Sequence, residues 1–148
     1  MKLFEIAMPL EKAGFIPYVY EDGKPLFYFM TPSDAKFGGD QPSIAKGHID
    51  KGESVLAAAY REASEELGLK AENVIRSTVK LVWKGKVEGK KEAFIFTVYI
   101  GEVRKKKDFG KPDHETGSTH WLTAKEFADK GRKSQVKIVQ AANRLLSS

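Results

Sequence analysis

Four glutamates and one arginine crowd one short stretch of this 148-residue chain. It reads Gly47-His48-Ile49-Asp50-Lys51-Gly52-Glu53 and then Arg61-Glu62-Ala63-Ser64-Glu65-Glu66-Leu67-Gly68-Leu69. At helical spacing Glu62, Glu65 and Glu66 stand at i, i+3 and i+4, so all three project from one face. Three like charges on one stripe destabilise an isolated helix, so a cation must balance them. Hard carboxylate oxygens suit Mg²⁺ or Mn²⁺.

Written as a pattern, the stretch is G-x5-E-x7-R-E-(aliphatic)-x-E-E-x-G-(aliphatic). This resembles the signature of the Nudix hydrolases, which cut a diphosphate joining a nucleoside to another moiety. Average residue frequencies give a chance match in a chain this long of order ~10⁻⁸. Two positions depart from the family's habit. Ala63 stands where Ile, Leu or Val is usual, and Ala45 precedes Lys46-Gly47 where many members have Pro.

The resemblance implies attack of water on a phosphorus, with divalent ions neutralising phosphate charge and activating the water. Carried over by position, the ligand set is the Gly47 carbonyl, Glu62, Glu65 and Glu66. Arg61 is expected to bond Glu53 and fix the loop to the helix, and Gly52 and Gly68 to serve backbone geometry. Family members recruit the general base from different places. Here Glu65 is the first candidate, and Glu115 in the Asp113-His114-Glu115 loop the second. Lys46 and His48 border the ligand loop and are candidates for phosphate contact, with a local structural role as the alternative for each.

Composition frames the motif. The chain is 41% apolar and 30% charged, as expected of one globular domain over residues 1–148. It has no cysteine, which excludes disulfides, thiolate metal sites and a Cys nucleophile. No apolar run reaches spanning length, and Glu5 interrupts the apolar N-terminus, so no membrane association and a cytoplasmic location are expected. Net charge is +5 although the motif is acidic, which suits a polyanionic substrate.

The elements that must position these residues follow from patterning. Residues 13–20 and 26–30 read as strands joined by a hairpin at Glu21-Asp22-Gly23-Lys24, and 31–43 as a loop. A helix capped by Glu53 or Ser54 runs to Leu67 and stops at Gly68, with Leu56, Ala59, Ala63 and Leu67 as an apolar stripe turned away from the glutamates. Residues 74–83 and 93–103 read as long strands around a Lys/Gly-rich tip. Residues 104–117 read as a polar loop and 120–122 as a short strand. Thr123 to Glu126 is a capping box for a helix ending near Gly131, and 134–146 a closing helix. This order suits an α/β fold, the α/β/α sandwich with a mixed sheet that the resemblance implies.

Lys84, Lys86, Lys90, Lys91 and the Arg104 to Lys107 run read as solvated turn charges or as an electrostatic funnel. Tyr18, Tyr28, Phe37 and Trp83 are the aromatic candidates for stacking a nucleobase. Lys46-Gly47-His48-Ile49 is similar to the wording of dinucleoside polyphosphate hydrolases, and an ADP-ribose-like substrate is the neighbouring option. Residues 83–87 carry neither the Pro nor the Tyr that marks those subgroups. The alternatives are an RNA 5′-end pyrophosphohydrolase or decapping enzyme, and a non-catalytic Nudix-fold module that binds RNA or protein. Expected partners are therefore a nucleotide-type small molecule or an RNA 5′ end, with a homodimer as a further option.

Overall fold

Asp22 and Gly23 both take positive φ, 54° and 77°, which lets a two-residue turn follow the twist of the strands it joins. They link β1 (Leu10–Glu21) to β2 (Lys24–Pro32) as the expected hairpin, with Glu21 opposite Lys24. The computed structural model describes residues 10–34, 36, 40–75, 79–86 and 93–147. Glu5, Phe37, Lys90, Lys91 and the Lys86 side chain, all invoked above, lie outside the described residues.

β1 is the axis of a six-stranded mixed sheet. One edge runs parallel to β5 (Ala93–Glu102), from Leu10 beside Phe94 to Tyr18 beside Glu102. The other edge is shared. β3 (Ala45–His48) takes Lys12 to Phe15, and β2 takes Tyr18 to Glu21, both antiparallel. The sheet therefore forks, and Met30 and Ser43 tie the branches by reciprocal backbone hydrogen bonds of 3.0 and 2.7 Å. β4 (Val79–Lys86) closes one margin against β5, and β6 (Thr116–Leu122) the other against β2.

Alternation along the strands sends side chains to two layers. Ala13, Phe15 and Val19 pack with Ala58, Ala59 and Ala63 of α1 (Val55–Leu67). Ile16, Phe27, Phe29 and Val98 pack with Phe127 of α2 (Ala124–Lys130) and with Ile138 and Val139 of α3 (Val136–Ser147). The chain thus forms the expected α/β/α sandwich. Thr123 and Glu126 make the expected capping box on α2.

Four local expectations change. β3 falls where sequence patterning gives only a loop, because its four residues gain strand geometry by pairing with β1. β4 begins at Val79, with Val74 held separately in a bridge to Val103. β6 begins at Thr116 rather than His120. It is a margin strand rich in Thr, Ser and Gly, so it carries no apolar alternation to read. Leu56 is exposed, while Ala58 takes its place against the sheet and Glu62 and Glu66 are buried on that same inward side.

Candidate active site

Ser54 starts α1 by accepting a 3.1 Å hydrogen bond from Ala57 N. Gly68 ends it at φ 74°, donating back to the carbonyls of the last turn. Ala58, Ala59 and Ala63 are fully buried, and such small side chains let the helix lie close on the sheet. That approach presses Glu62 against β3. A Cβ at Gly47 would overlap the Glu62 carboxylate, so only glycine leaves room for it.

One turn on, Glu66 reaches β3 as well, and its Oε1 accepts from Lys46 N at 3.2 Å. Burial, then a hydrogen bond with Glu62 and its charge, push the Glu66 carboxyl up to about 8. Two buried carboxyl groups packed this closely form a pair whose mutual repulsion a divalent ion could relieve. The donor set fits such an ion in oxygen type and charge. Glu65 stands apart from the pair. Its side chain is 46% exposed, and its Oε1 lies 3.5 Å from Arg61 Nη1.

Arg61 ties this group together. It donates to both Glu53 oxygens at 2.8 and 3.0 Å, to Glu62 Oε1 at 2.9 Å and to the His48 carbonyl at 2.9 Å. Glu53 also accepts from Asp50 N at 3.0 Å, which closes the loop onto the helix. The Arg61 bonds and the Asp50 backbone bond hold the Glu53 carboxyl below its ordinary range, and the Glu53 and Glu62 bonds raise the guanidinium further.

A cleft of about 380 Å³ opens at the fork of the sheet, lined by Lys46, Gly47, His48, Glu66 and Glu115. Glu53, Arg61, Glu62 and Glu65 are not among its lining residues. Glu115 is held by main-chain bonds: its carbonyl accepts from Ser33 N at 2.9 Å, and its N–H donates to Asp113 Oδ1 at 3.0 Å. The preceding loop is fastened to α1. Gly110 N donates to Gly68 O and Asp113 N to Glu65 O, both at 2.7 Å, while Thr116 Oγ1 donates to Glu66 O at 2.8 Å. Buried Asn73 organises the loop's start through four hydrogen bonds of 3.1 Å.

Sequence reasoning missed two cations in the cleft, Lys12 and Arg132. Lys12 follows Glu11 ahead of the apolar run of β1, and Arg132 stands between Gly131 and Lys133 after α2, neither with motif spacing. Burial, then the like charges of Lys12 and Arg132, bring the Lys46 ammonium down to about 8, against the opposing pull of Glu66 and Glu62.

The aromatic candidates separate cleanly. Tyr18 is core, and Tyr28 stacks on Trp121 with centroids 4.4 Å apart, while Trp83 lines a cavity. His114 is exposed and contributes its carbonyl to Ser33 Oγ. Lys106 pairs with Glu21 at 2.8 Å.

A family model described as NUDIX domain matches residues 12–142. An RNA pyrophosphohydrolase of Pelagibacter ubique (strain HTCC1062) is 26% identical over 98 residues, which span 58% of this chain and 61% of that protein. A C. elegans Ap4A hydrolase binary complex shares the fold at TM-score 0.76 and 19% identity, covering 93% of this chain and 98% of that one. The NUDIX domain of Shewanella oneidensis NrtR complexed with ADP ribose has TM-score 0.75 at 11% identity, covering 99% and 94%.

Proposed function

The chain belongs to the Nudix family, and on that premise we propose that it is a metal-dependent pyrophosphohydrolase. Its substrate is a nucleoside diphosphate derivative, either a dinucleoside polyphosphate or an ADP-ribose-like compound. The observation that carries this reading is the buried Glu62 and Glu66 pair, set against the space left by Gly47 and braced by Arg61.

In this reading the Gly47 carbonyl, Glu62, Glu65 and Glu66 hold Mg²⁺ or Mn²⁺. The ion, when bound, supplies charge for the phosphate oxygens and acidifies the attacking water. The protein's own part is placement. Arg61 and Glu53 keep the loop against α1, and Lys46 and His48 meet phosphate oxygens from the cleft wall. Glu115 and Glu65 are the two candidates to accept the proton of water. Glu115 lines the cleft, whereas Glu65 stands beside Arg61. A cytoplasmic site of action belongs to the same proposal.

A second reading, removal of pyrophosphate from an RNA 5′ end, is favoured by the relative named RNA pyrophosphohydrolase and by the net charge of +5. One panel tests both. Dinucleoside polyphosphates, ADP-ribose and 5′-triphosphorylated RNA are each incubated with Mg²⁺, Mn²⁺ or EDTA, and products are resolved by ion exchange. Turnover of a nucleotide that EDTA abolishes is the expected result. Inertness toward every compound, with either ion, would refute the enzymatic reading.

A further inference from the structure

A second cavity, of about 260 Å³, opens beside the cleft, with Trp83, Phe94 and Ile138 in its walls. The two cavities share Lys12, Lys46 and Arg132. Three cations therefore stand between a carboxylate-bearing cleft and an apolar recess. They come from β1, β3 and the turn before α3, so no local structure compels them to meet. Among the described residues, none of the three makes an ion pair with a carboxylate.

Strand pairing of β1 with β3 places the backbones of Lys12 and Lys46, and the turn before α3 places that of Arg132. Arg132 N donates to Pro42 O at 2.9 Å, and Gln135 Oε1 accepts from Ile44 N at 2.8 Å, which locks the start of α3 onto the chain entering β3. The apolar wall is equally defined. A Cβ at Gly85 would come within 2.8 Å of the Phe94 ring, so glycine lets that ring lie against β4.

Clustered like charges are costly unless an anion joins them. A divalent ion at Glu62 and Glu66 already serves the diphosphate under attack. A sugar attached to that diphosphate would offer ammonium and guanidinium groups only neutral hydroxyls, whereas further phosphates would offer each a charged oxygen. We propose that Lys12, Lys46 and Arg132 grip phosphates beyond the one attacked and lead the attached nucleobase into the recess at Trp83 and Phe94. The substrate class is thus a nucleoside bearing three or more consecutive phosphates. This rests on the pyrophosphohydrolase reading above and narrows it.

The test compares diadenosine tetraphosphate with ADP-ribose in Mg²⁺, and metal-free binding of adenosine 5′-tetraphosphate with that of inorganic tripolyphosphate in EDTA. Melting curves check that each variant folds. Lys12→Gln and Arg132→Gln are each expected to lower the ratio of kcat/KM for the tetraphosphate over ADP-ribose by ~10-fold or more, the loss of one charged hydrogen bond. Trp83→Leu is expected to weaken adenosine tetraphosphate binding but not tripolyphosphate binding. Equal losses on both substrates, or tripolyphosphate affinity unchanged in Arg132→Gln, would overturn the proposal. Should the parent cut neither substrate yet lose tripolyphosphate affinity in both Gln variants, the cation cluster stands and the hydrolase reading falls.

Discussion

Arg61 grips Glu53 as a fork, with Nε 2.8 Å from Oε2 and Nη2 3.0 Å from Oε1, eight residues apart across the loop–helix junction. Its remaining donors go to Glu62 and to the His48 carbonyl. One side chain thus orients Glu62 and the loop beside it. The geometry needs a planar guanidinium, since an ammonium has no matching pair of parallel donors.

Arg61→Ala is therefore expected to cost about 1–3 kcal/mol of stability, between the values for exposed and buried pairs. Mg²⁺ affinity should fall with it. Arg61→Lys should recover little of either. Thermal melts and Mg²⁺ titrations measure both, and a parent-like result for Ala would place the guanidinium outside the metal site's support.

Gly47→Ala addresses the other side of Glu62. The added methyl would occupy the space of the carboxylate, so Glu62 must swing away. An unchanged circular dichroism spectrum with at least ~10-fold weaker Mg²⁺ binding is expected. Retained affinity would mean that Glu62 does not act from its place beside Gly47.

Glu66 makes metal-free stability depend on pH. Its folded value is raised to about 8 from 4.5, so between these the folded chain keeps a proton that the unfolded chain has released. Stability must then fall as pH rises through that window. Lys46 acts above it. Lowered to about 8 from 10.5, it is neutral in the fold while still charged when unfolded, so stability recovers as pH rises further. Melting temperatures in EDTA should pass through a minimum near pH 8. Glu66→Gln should flatten the acidic arm of that curve and cut Mg²⁺-dependent turnover by ~10²-fold or more. A metal-free stability that rises steadily across the acidic window would contradict the raised Glu66 carboxyl.

The two candidate bases answer different assays. If Glu115 takes the proton, Glu115→Gln should depress kcat and leave Mg²⁺ binding to the substrate-free enzyme intact. If Glu65 is ligand and base, Glu65→Gln should weaken metal binding and kcat together. Isothermal titration with Mg²⁺, run beside steady-state kinetics, separates the cases. Full activity in both variants would remove both residues from the chemistry.

How far the sequence reveals this arrangement depends on how local each signal is. The hairpin at Asp22-Gly23, the Ser54 and Gly68 caps of α1 and the Thr123 capping box are written in adjacent residues, and all form as the sequence implies. β3 is different. Ala45 to His48 lacks strand propensity and becomes a strand only because Lys12 to Phe15 lies beside it. Lys12 and Arg132 are similarly silent, since no spacing in one dimension announces that β1 and the turn before α3 meet at one cleft. The glutamate stripe was legible as a stripe. Which of its members is buried depended on the fork of the sheet, where Glu62 meets the space at Gly47 and Glu66 meets the backbone at Lys46.

The bonds from α1 to the loop before β6 have a further consequence for how such an enzyme can diversify. Gly110 to Gly68 and Asp113 to Glu65 are bonds between main chains, and they name no side chain beyond the room that glycine leaves. Loop residues other than Asp113 and Thr116, whose side chains bond Glu115 N and Glu66 O, can therefore be exchanged without shifting the frame in which position 115 faces the cleft. Substrate preference is free to drift along this segment while the catalytic architecture is inherited unchanged.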